Sequence, residues 1–271
     1  MAKLSIITIC YNEPNLEQTC ESIVNQTWQD FEWIVIDGGS NKETLDIFEK
    51  YKYRIDKFVS EPDDGIYNAS NKGLKLATSE YIHFLNAGDS YYDFDVLKNV
   101  FKRSYKEDVL YGEQQEIDRN NVKNIRYSKQ PKITKEFLIT GCIQTSAAFI
   151  KRELFEKYGL FNENYKIVSD YEHFVIFYKN GVKFKHLNFI ISKFDKNGVS
   201  SNKTFDELHK KERNDVLNKY FSKEEIKCAI KKINELSFLE KIFSITNSID
   251  KSQKVITILG LKFKIRRNIN A

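Results

Sequence analysis

Four short apolar runs occupy the first hundred residues, and each is followed by a stretch whose apolar residues recur every three or four positions. Leu4 to Ile9 is the first run, and Leu16, Thr19, Cys20, Ile23 and Val24 follow it at helical spacing. Phe31 to Ile36, Ile55 to Val59 and Tyr81 to Leu85 repeat the pattern. Their helical partners carry Leu45, Phe48 and Tyr51, then Ile66, Ala69, Gly73, Leu74 and Ala77, then Val96, Leu97, Val100 and Phe101. A continuous β-branched run buries both faces of a strand, as strands of a parallel sheet must. Strand and helix alternating at this pitch predict an α/β fold: a mostly parallel sheet flanked by helices.

Ligands of such sheets bind outside the carboxyl ends of the strands. Each run here stops at polar or acidic residues: Tyr11-Asn12-Glu13, Asp37-Gly38-Gly39-Ser40, Glu61-Pro62-Asp63-Asp64, and Asn86 to Asp89. Acidic groups thus collect along one edge. A dinucleotide oxidoreductase carries GxGxxG after its first strand, cradling pyrophosphate on backbone N–H groups. Cys10-Tyr11-Asn12-Glu13-Pro14 stands there instead, which excludes that class and points to phosphate held through a cation.

The middle of the chain reads as mixed, with strands at Val109–Tyr111, Ser146–Ile150 and Phe184–Ile191 and a helix beginning near Ser169-Asp170. From Thr204 the sequence is helical and lysine-rich. Ile226, Ala229, Ile230, Ile233 and Leu236 form an apolar stripe there, which Leu239, Ile242, Phe243 and Thr246 extend. Leu261 to Arg266 alternates with period two, as a strand with one basic face would.

Charge divides the chain in the same way. Residues 202–271 hold 16 Lys/Arg against 9 Asp/Glu, whereas residues 1–201 hold 27 against 29. The formal net charge of +5 therefore belongs to the last quarter. Positive charge on one terminal segment suits an anionic lipid surface better than nucleic acid, for which it would be spread across the fold. The expected organisation is a catalytic domain over 1–201, with a donor half to about 105 and an acceptor half from 106. A basic helical region over 202–271 follows and ends in a short strand. No apolar stretch reaches membrane-spanning length, and the N-terminus lacks signal-peptide architecture. The four cysteines lack CxxC pairing, and His83, His173, His186 and His209 lack metal-ligand spacing. A cytoplasmic protein, peripheral at the inner face of the membrane, is the expectation.

Five segments now bear on chemistry: LSIITICYNE, WIVIDGGSNKET, SEPDDGIYNASNKGLKLATSEYIHFLNAGD, GLFNENYKIVSDYEHF and NGVSS. In this order and at this spacing they resemble family 2 glycosyltransferases, inverting enzymes with the A-type (GT-A) fold. The resemblance runs from Lys3 to Ser201, and the central segment is similar to enzymes of bacterial surface polysaccharide or lipopolysaccharide synthesis. It implies a nucleotide-sugar donor, in which a divalent cation offsets charge on the leaving diphosphate. Asp89 would be the metal ligand, in the place of the last carboxylate of a DxD-type motif, and Mn²⁺ or Mg²⁺ the ion. Asn86 replaces the first carboxylate of that motif.

The same resemblance places the donor on Thr8, Tyr11, Glu13, Asp37, Asp64, Asn71, Lys72, Asn86, Ala87 and Gly88. Tyr11 would pack on the base, and Asp37 would accept from an imide N–H, favouring uracil and hence a UDP-sugar. Asp170 would be the general base of a single in-line displacement. Ser169 takes the first place of the family's acidic pair. Ile143-Gln144 stands where relatives carry His-Gln, with Gln144 on the acceptor side. Gly198 and Ser200, in the Asn197 to Ser201 segment, would belong to a lid over diphosphate or acceptor.

The expected partners are a UDP-sugar, a glycan acceptor on a lipid carrier and an anionic membrane surface, with no nucleic acid. A homo-oligomer stays open. A catalytically silent nucleotide-sugar binder, suggested by Asn86 and Ser169, competes with the enzyme reading. A nucleotidyltransferase on a similar fold would want a glycine-rich basic first loop, which is absent.

Overall fold

The computed structural model describes residues 2–117, 132–195, 206–247, 253–258 and 261–266. The chain divides into two compact units, one of Met1–Thr134 with Gly141–Val216 and one of Lys135–Thr140 with Leu217–Ala271. The expected boundary at 201/202 and the lid residues Gly198 and Ser200 lie outside the described residues.

In the first unit the predicted alternation is realised as β1 (Leu4–Cys10), α1 (Leu16–Val24), β2 (Phe31–Asp37), α2 (Lys42–Tyr51), β3 (Lys57–Ser60), α3 (Ile66–Leu76), β4 (Tyr81–Phe84), β5 (Ser90–Tyr91) and α4 (Val96–Phe101). Strands β1, β2, β3 and β4 pair in parallel. β1 and β2 are buried at every position, which is why they read as unbroken apolar runs. β6 (Val109–Ile117), β7 (Ala148–Lys151) and β8 (Phe184–Asp195) complete an eight-stranded sheet in the order β3-β2-β1-β4-β7-β6-β8-β5. β7 runs antiparallel to β4 and to β6, whereas β6 and β8 are parallel.

β6 and β8 extend well beyond the Val109–Tyr111 and Phe184–Ile191 runs. Their extensions carry Glu113 to Glu116 and Ser192, Lys193 and Asp195, polar residues that hide a strand from an apolar-run search. Residues Thr145–Ala147 form a 3-10 turn, so the strand expected from Ser146 begins at Ala148. α6 (Arg152–Tyr158) and α7 (Ser169–Lys179) follow.

The core under β1 and β2 is built on Leu4, Ile6, Trp33 and Val35, with Phe48, Phe149 and Leu97 packed among them. Burying each such side chain contributes about 1.5–3 kcal/mol. Gly73 lets α3 lie directly on the sheet, because a Cβ there would stand 2.5 Å from Ile7 Cγ2.

One ion-pair network crosses this layer. Glu32 is only 8% exposed. Its Oε1 accepts from Ser5 Oγ (2.5 Å), Thr78 N (2.6 Å), Thr78 Oγ1 (2.9 Å) and Ser79 Oγ (3.2 Å), while Lys57 Nζ donates to Oε2 (2.8 Å). Burial pushes the carboxyl pKa up, but the Lys57 ammonium and the hydroxyl and N–H donors outweigh it and hold it at about 2, against an ordinary 4.5. A carboxylate held below its unfolded value adds stability above pH 4.5 and loses it as pH falls towards 2. This contribution is about 3 kcal/mol. Glu32→Gln is therefore expected to lower neutral-pH stability in urea melts by that order and to flatten its decline between pH 4.5 and 2. An unchanged acid decline would refute the assignment.

The second unit contains α5 (Lys135–Thr140), α9 (Lys223–Ile242) and an antiparallel sheet in the order β11-β10-β9, formed by β9 (Phe243–Asn247), β10 (Gln253–Ile258) and β11 (Leu261–Arg266). α5 is tied to α9 by Lys135–Glu225 (3.1 Å) and Lys232–Glu136 (2.9 Å). The predicted helical stripe is corrected in two ways. The helix stops at Ile242, so Phe243 and Thr246 belong to a strand. Ala229 is buried but Ile230 is 47% exposed, so the stripe is not one covered face. The terminal strand does form, as the edge of a three-stranded sheet whose other two members the sequence reading missed. Helix α8 (Asp206–Tyr220) joins the first unit through its residues up to Val216. Among the described residues, no helix is long and apolar enough to cross a membrane.

Candidate active site

Parallel pairing in register aligns the ends of the strands: Cys10 stands beside Asp37, and Asp37 beside Ser60. The loops leaving these strands are stitched together. Asn12 N donates to Ser40 Oγ (2.9 Å), Asn41 N to Asn12 Oδ1 (2.7 Å), and Gly38 N to Cys10 O (2.9 Å). Asp37 is fully buried; its Oδ2 accepts from Gly39 N (3.2 Å), Ser40 N (3.0 Å) and Ser60 Oγ (2.6 Å). Its Oδ1 is buried with no hydrogen-bond partner among the described residues. A buried acceptor of this kind can take a donor from water or a ligand. Beside it, Gly38 leaves room for the Asp63 carboxylate and the Tyr11 ring, since a Cβ would stand 2.5 Å from Asp63 Oδ2 and 3.4 Å from Tyr11 Cδ2. Tyr11 is 67% exposed, its ring free to take a planar ligand.

The Asn86-Ala87-Gly88-Asp89 turn lies against the same loops. Ala87 N donates to Ile9 O (3.0 Å), Gly88 N to Thr19 Oγ1 (2.9 Å), and Thr19 Oγ1 to Asp89 O (2.6 Å). Gly88 adopts φ +94 and brings the turn onto Glu13, whose carboxylate carbon would stand 3.2 Å from a Cβ there. Glu13 Oε1 itself accepts from Asn15 N (2.9 Å) and Asn15 Nδ2 (3.0 Å). Asp89 is 6% exposed, and Asn86 Oδ1 is buried without a hydrogen-bond partner among the described residues.

Asn86 and Asp89 line a cavity of about 300 Å³ that also takes in Gln144, Thr145 and Asp170. Asp170 sits in the first turn of α7. Its Oδ1 accepts from Tyr67 Oη (2.8 Å) and its Oδ2 from Thr145 Oγ1 (2.6 Å). From α8, His209 and Arg213 also reach this cavity. The Arg213 guanidinium lies 4.2 Å from the centre of the Tyr171 ring and donates to Gly141 O (2.8 Å).

Four of the expected residues, Asn86, Asp89, Gln144 and Asp170, therefore share one cavity. Tyr11, Glu13, Asp37 and the exposed Asp64 stand along the adjoining loops. Three others are committed elsewhere. Thr8 is fully buried, and its hydroxyl accepts from Trp33 Nε1 (3.0 Å), so it faces the core. Lys72 pins the β3–α3 loop through Pro62 O (3.1 Å) and Glu61 (2.7 Å). Asn71 is 2% exposed and clamps the segment before α7. Its Nδ2 donates to Phe161 O (2.9 Å) and Glu163 Oε1 (2.7 Å), and its Oδ1 accepts from Phe161 N (2.9 Å). The Gly159–Tyr165 stretch thus serves as the tether that lays α7 beside α3. Sequence reasoning passed over Tyr67 and Thr145; the position of Tyr67, one helical turn before Asn71, was the available signal.

Two of the other histidines lie elsewhere. His83 stacks between Phe149 and Tyr91, and burial pushes its pKa down to about 3. His186 packs against Tyr111 away from the cavity, its pKa also lowered by burial. Among the described residues, no three Asp, Glu, His or Cys are arranged to hold a metal ion by themselves. The Asp89 carboxylate and the open Asn86 Oδ1 are nonetheless two hard oxygens on one cavity. That donor set fits Mn²⁺ or Mg²⁺ completing its shell with ligand phosphate and water, not an all-protein cage.

Known proteins resemble this chain in sequence and in fold. The family model "Glycosyl transferase family 2" matches residues 5–180. A PGL/p-HBAD biosynthesis glycosyltransferase of Mycobacterium bovis (strain BCG / Pasteur 1173P2) is 30% identical over 210 residues, covering 74% of this chain and 80% of the relative. An uncharacterized glycosyltransferase of Rickettsia typhi is 31% identical over 62% of this chain and 56% of its own length. The crystal structure of S. aureus TarS 1-349 superposes with a TM-score of 0.60 at 22% identity, over 72% of this chain and 60% of that one. Its complex with UDP-GlcNAc gives a TM-score of 0.59 at 20% identity, over 72% and 58%. The fold is thus the mixed α/β GT-A fold, and the chain belongs to glycosyl transferase family 2.

Proposed function

We propose that the chain is an inverting glycosyltransferase that moves a sugar from a UDP-sugar to a hydroxyl of a glycan acceptor. The observation that carries this reading is the single cavity on which Asp89 and Asn86 face Asp170. One end of it suits a diphosphate, the other a group that takes a proton. Asp37 Oδ1, buried and open, suits the imide N–H of uracil beside the Tyr11 ring. That structural neighbours have been solved with UDP and UDP-GlcNAc supports a donor of this class.

Asp170 accepts the proton of the acceptor hydroxyl as its oxygen attacks the anomeric carbon. The carbon–oxygen bond to the diphosphate breaks on the opposite side, and the electron pair leaves with UDP. Asp89 and Asn86 would hold Mn²⁺ or Mg²⁺, which would neutralise charge growing on the diphosphate. The test is a thermal-shift screen of UDP-sugars with and without Mn²⁺. A UDP-sugar is expected to raise the melting temperature more with the ion than without. No stabilisation by any UDP-sugar would overturn the donor assignment.

The basic last quarter supports an acceptor on a lipid carrier, as in synthesis of bacterial surface polysaccharide or lipopolysaccharide. Its lysines and arginines would each add about 1 kcal/mol at an anionic surface. Pelleting with phosphatidylglycerol vesicles at low salt, and loss of pelleting at high salt, is the expected behaviour. Equal recovery in the supernatant with and without vesicles would remove the membrane from the list of partners.

A further inference from the structure

Among the described residues, the two hydrogen bonds to the Asp170 carboxylate come from hydroxyls, one of them on a buried side chain. Tyr67 is 6% exposed, fixed by helix α3 and by its ring against Phe161 (5.4 Å). Its hydroxyl gives its proton to Asp170 Oδ1 at 2.8 Å. Thr145, half-buried beside the exposed Gln144, holds Oδ2 at 2.6 Å on the cavity side.

We propose that Tyr67 is a positioning residue for the general base: it locks Oδ1 and thereby turns Oδ2 towards the acceptor hydroxyl. The proposal rests on Asp170 being the base. A carboxylate on a short side chain rotates about its last bond, and a base that rotates away from the proton loses the benefit of its placement. A donor fixed by a helix and an aromatic contact removes that freedom. Burial, then the Asp170 charge and the hydrogen bond to it, push the Tyr67 pKa well above 10, so the phenol stays a donor at every working pH. The clamp formed by Asn71 on Phe161 and Glu163 gives the arrangement its second anchor, because it fixes the segment leading into α7 against the helix that carries Tyr67.

Besides Asp170 and Tyr67, the titratable groups on this cavity among the described residues are Asp89, Cys142, Tyr171, His209 and Arg213. The Asp170 charge helps raise the Cys142 thiol pKa, after burial, so that group is neutral beside it.

The experiment measures UDP release and donor KM in the full-length protein, with UDP-GlcNAc as probe and water as acceptor. Tyr67→Phe keeps the ring packing and removes the donor. Its UDP release is expected to fall about tenfold in kcat with little change in donor KM. Tyr67→3,5-difluorotyrosine, a donor of the same shape, is expected to restore kcat to near the native value. It serves also where the phenylalanine variant does not fold. Native kcat in Tyr67→Phe, with Asp170→Asn inactive, would overturn the Tyr67 role alone. Native UDP release in Asp170→Asn would overturn the base and this proposal together.

Discussion

Asp170→Asn is expected to bind a UDP-sugar as the native chain does and to transfer its sugar about 10²–10⁴ times more slowly. The size follows from what the substitution removes. An amide has nearly the shape of the carboxylate, and its oxygen can still accept from Tyr67, so the first turn of α7 keeps its tether. An amide cannot take a proton at neutral pH, so the acceptor oxygen must attack while still carrying its hydrogen. Because the proposed diphosphate-side residues Asn86 and Asp89 lie outside α7, donor affinity is expected to survive. Parallel measurement of UDP release and of donor-induced thermal stabilisation separates these two effects. Loss of both would place Asp170 in donor binding, and loss of neither would make it a helix-start carboxylate that only favours the dipole.

Asp89→Ala is expected to be the second large loss, about 10²-fold or more in turnover, accompanied by disappearance of the Mn²⁺-dependent part of donor stabilisation. Asn86 alone is a single neutral oxygen, a poor holder of a divalent ion. The turn itself should persist, because backbone groups hold it: Asp89 N donates to Asn86 O at 3.0 Å, and Thr19 Oγ1 donates to Asp89 O at 2.6 Å. Chelation of metal from the native protein should reproduce the variant. If Asp89→Ala lost turnover while the Mn²⁺ effect on donor binding stayed intact, the metal would have to sit elsewhere.

The donor half was easier to read than the acceptor half, for a physical reason. Strands β1 and β2 are buried on both faces, so their composition announces them, and their polar ends mark the ligand edge directly. β6 and β8 run on into polar sequence, and the 3-10 turn at Thr145–Ala147 has no periodicity to detect. Residue roles followed the same division. Asp37, Asp89 and Asp170 were singled out through the family resemblance, at strand ends and a helix start where carboxylates are conspicuous. Asn71 and Lys72 stand in an equally conspicuous segment, yet their side chains are spent on holding loops, a distinction that only partners in space can draw.

By itself, the sequence determined the alternation of strand and helix, the acidic edge, the absence of a glycine-rich dinucleotide loop and the concentration of positive charge after residue 201. These are local properties, set by burial period, turn chemistry and charge. Tertiary structure alone decided that Thr8 faces the core, that Asn71 tethers α7 to α3, and that Tyr67 meets Asp170 across 103 positions of chain. A hydrogen bond between residues so far apart leaves no trace in spacing, because it depends on how two helices lie against one sheet.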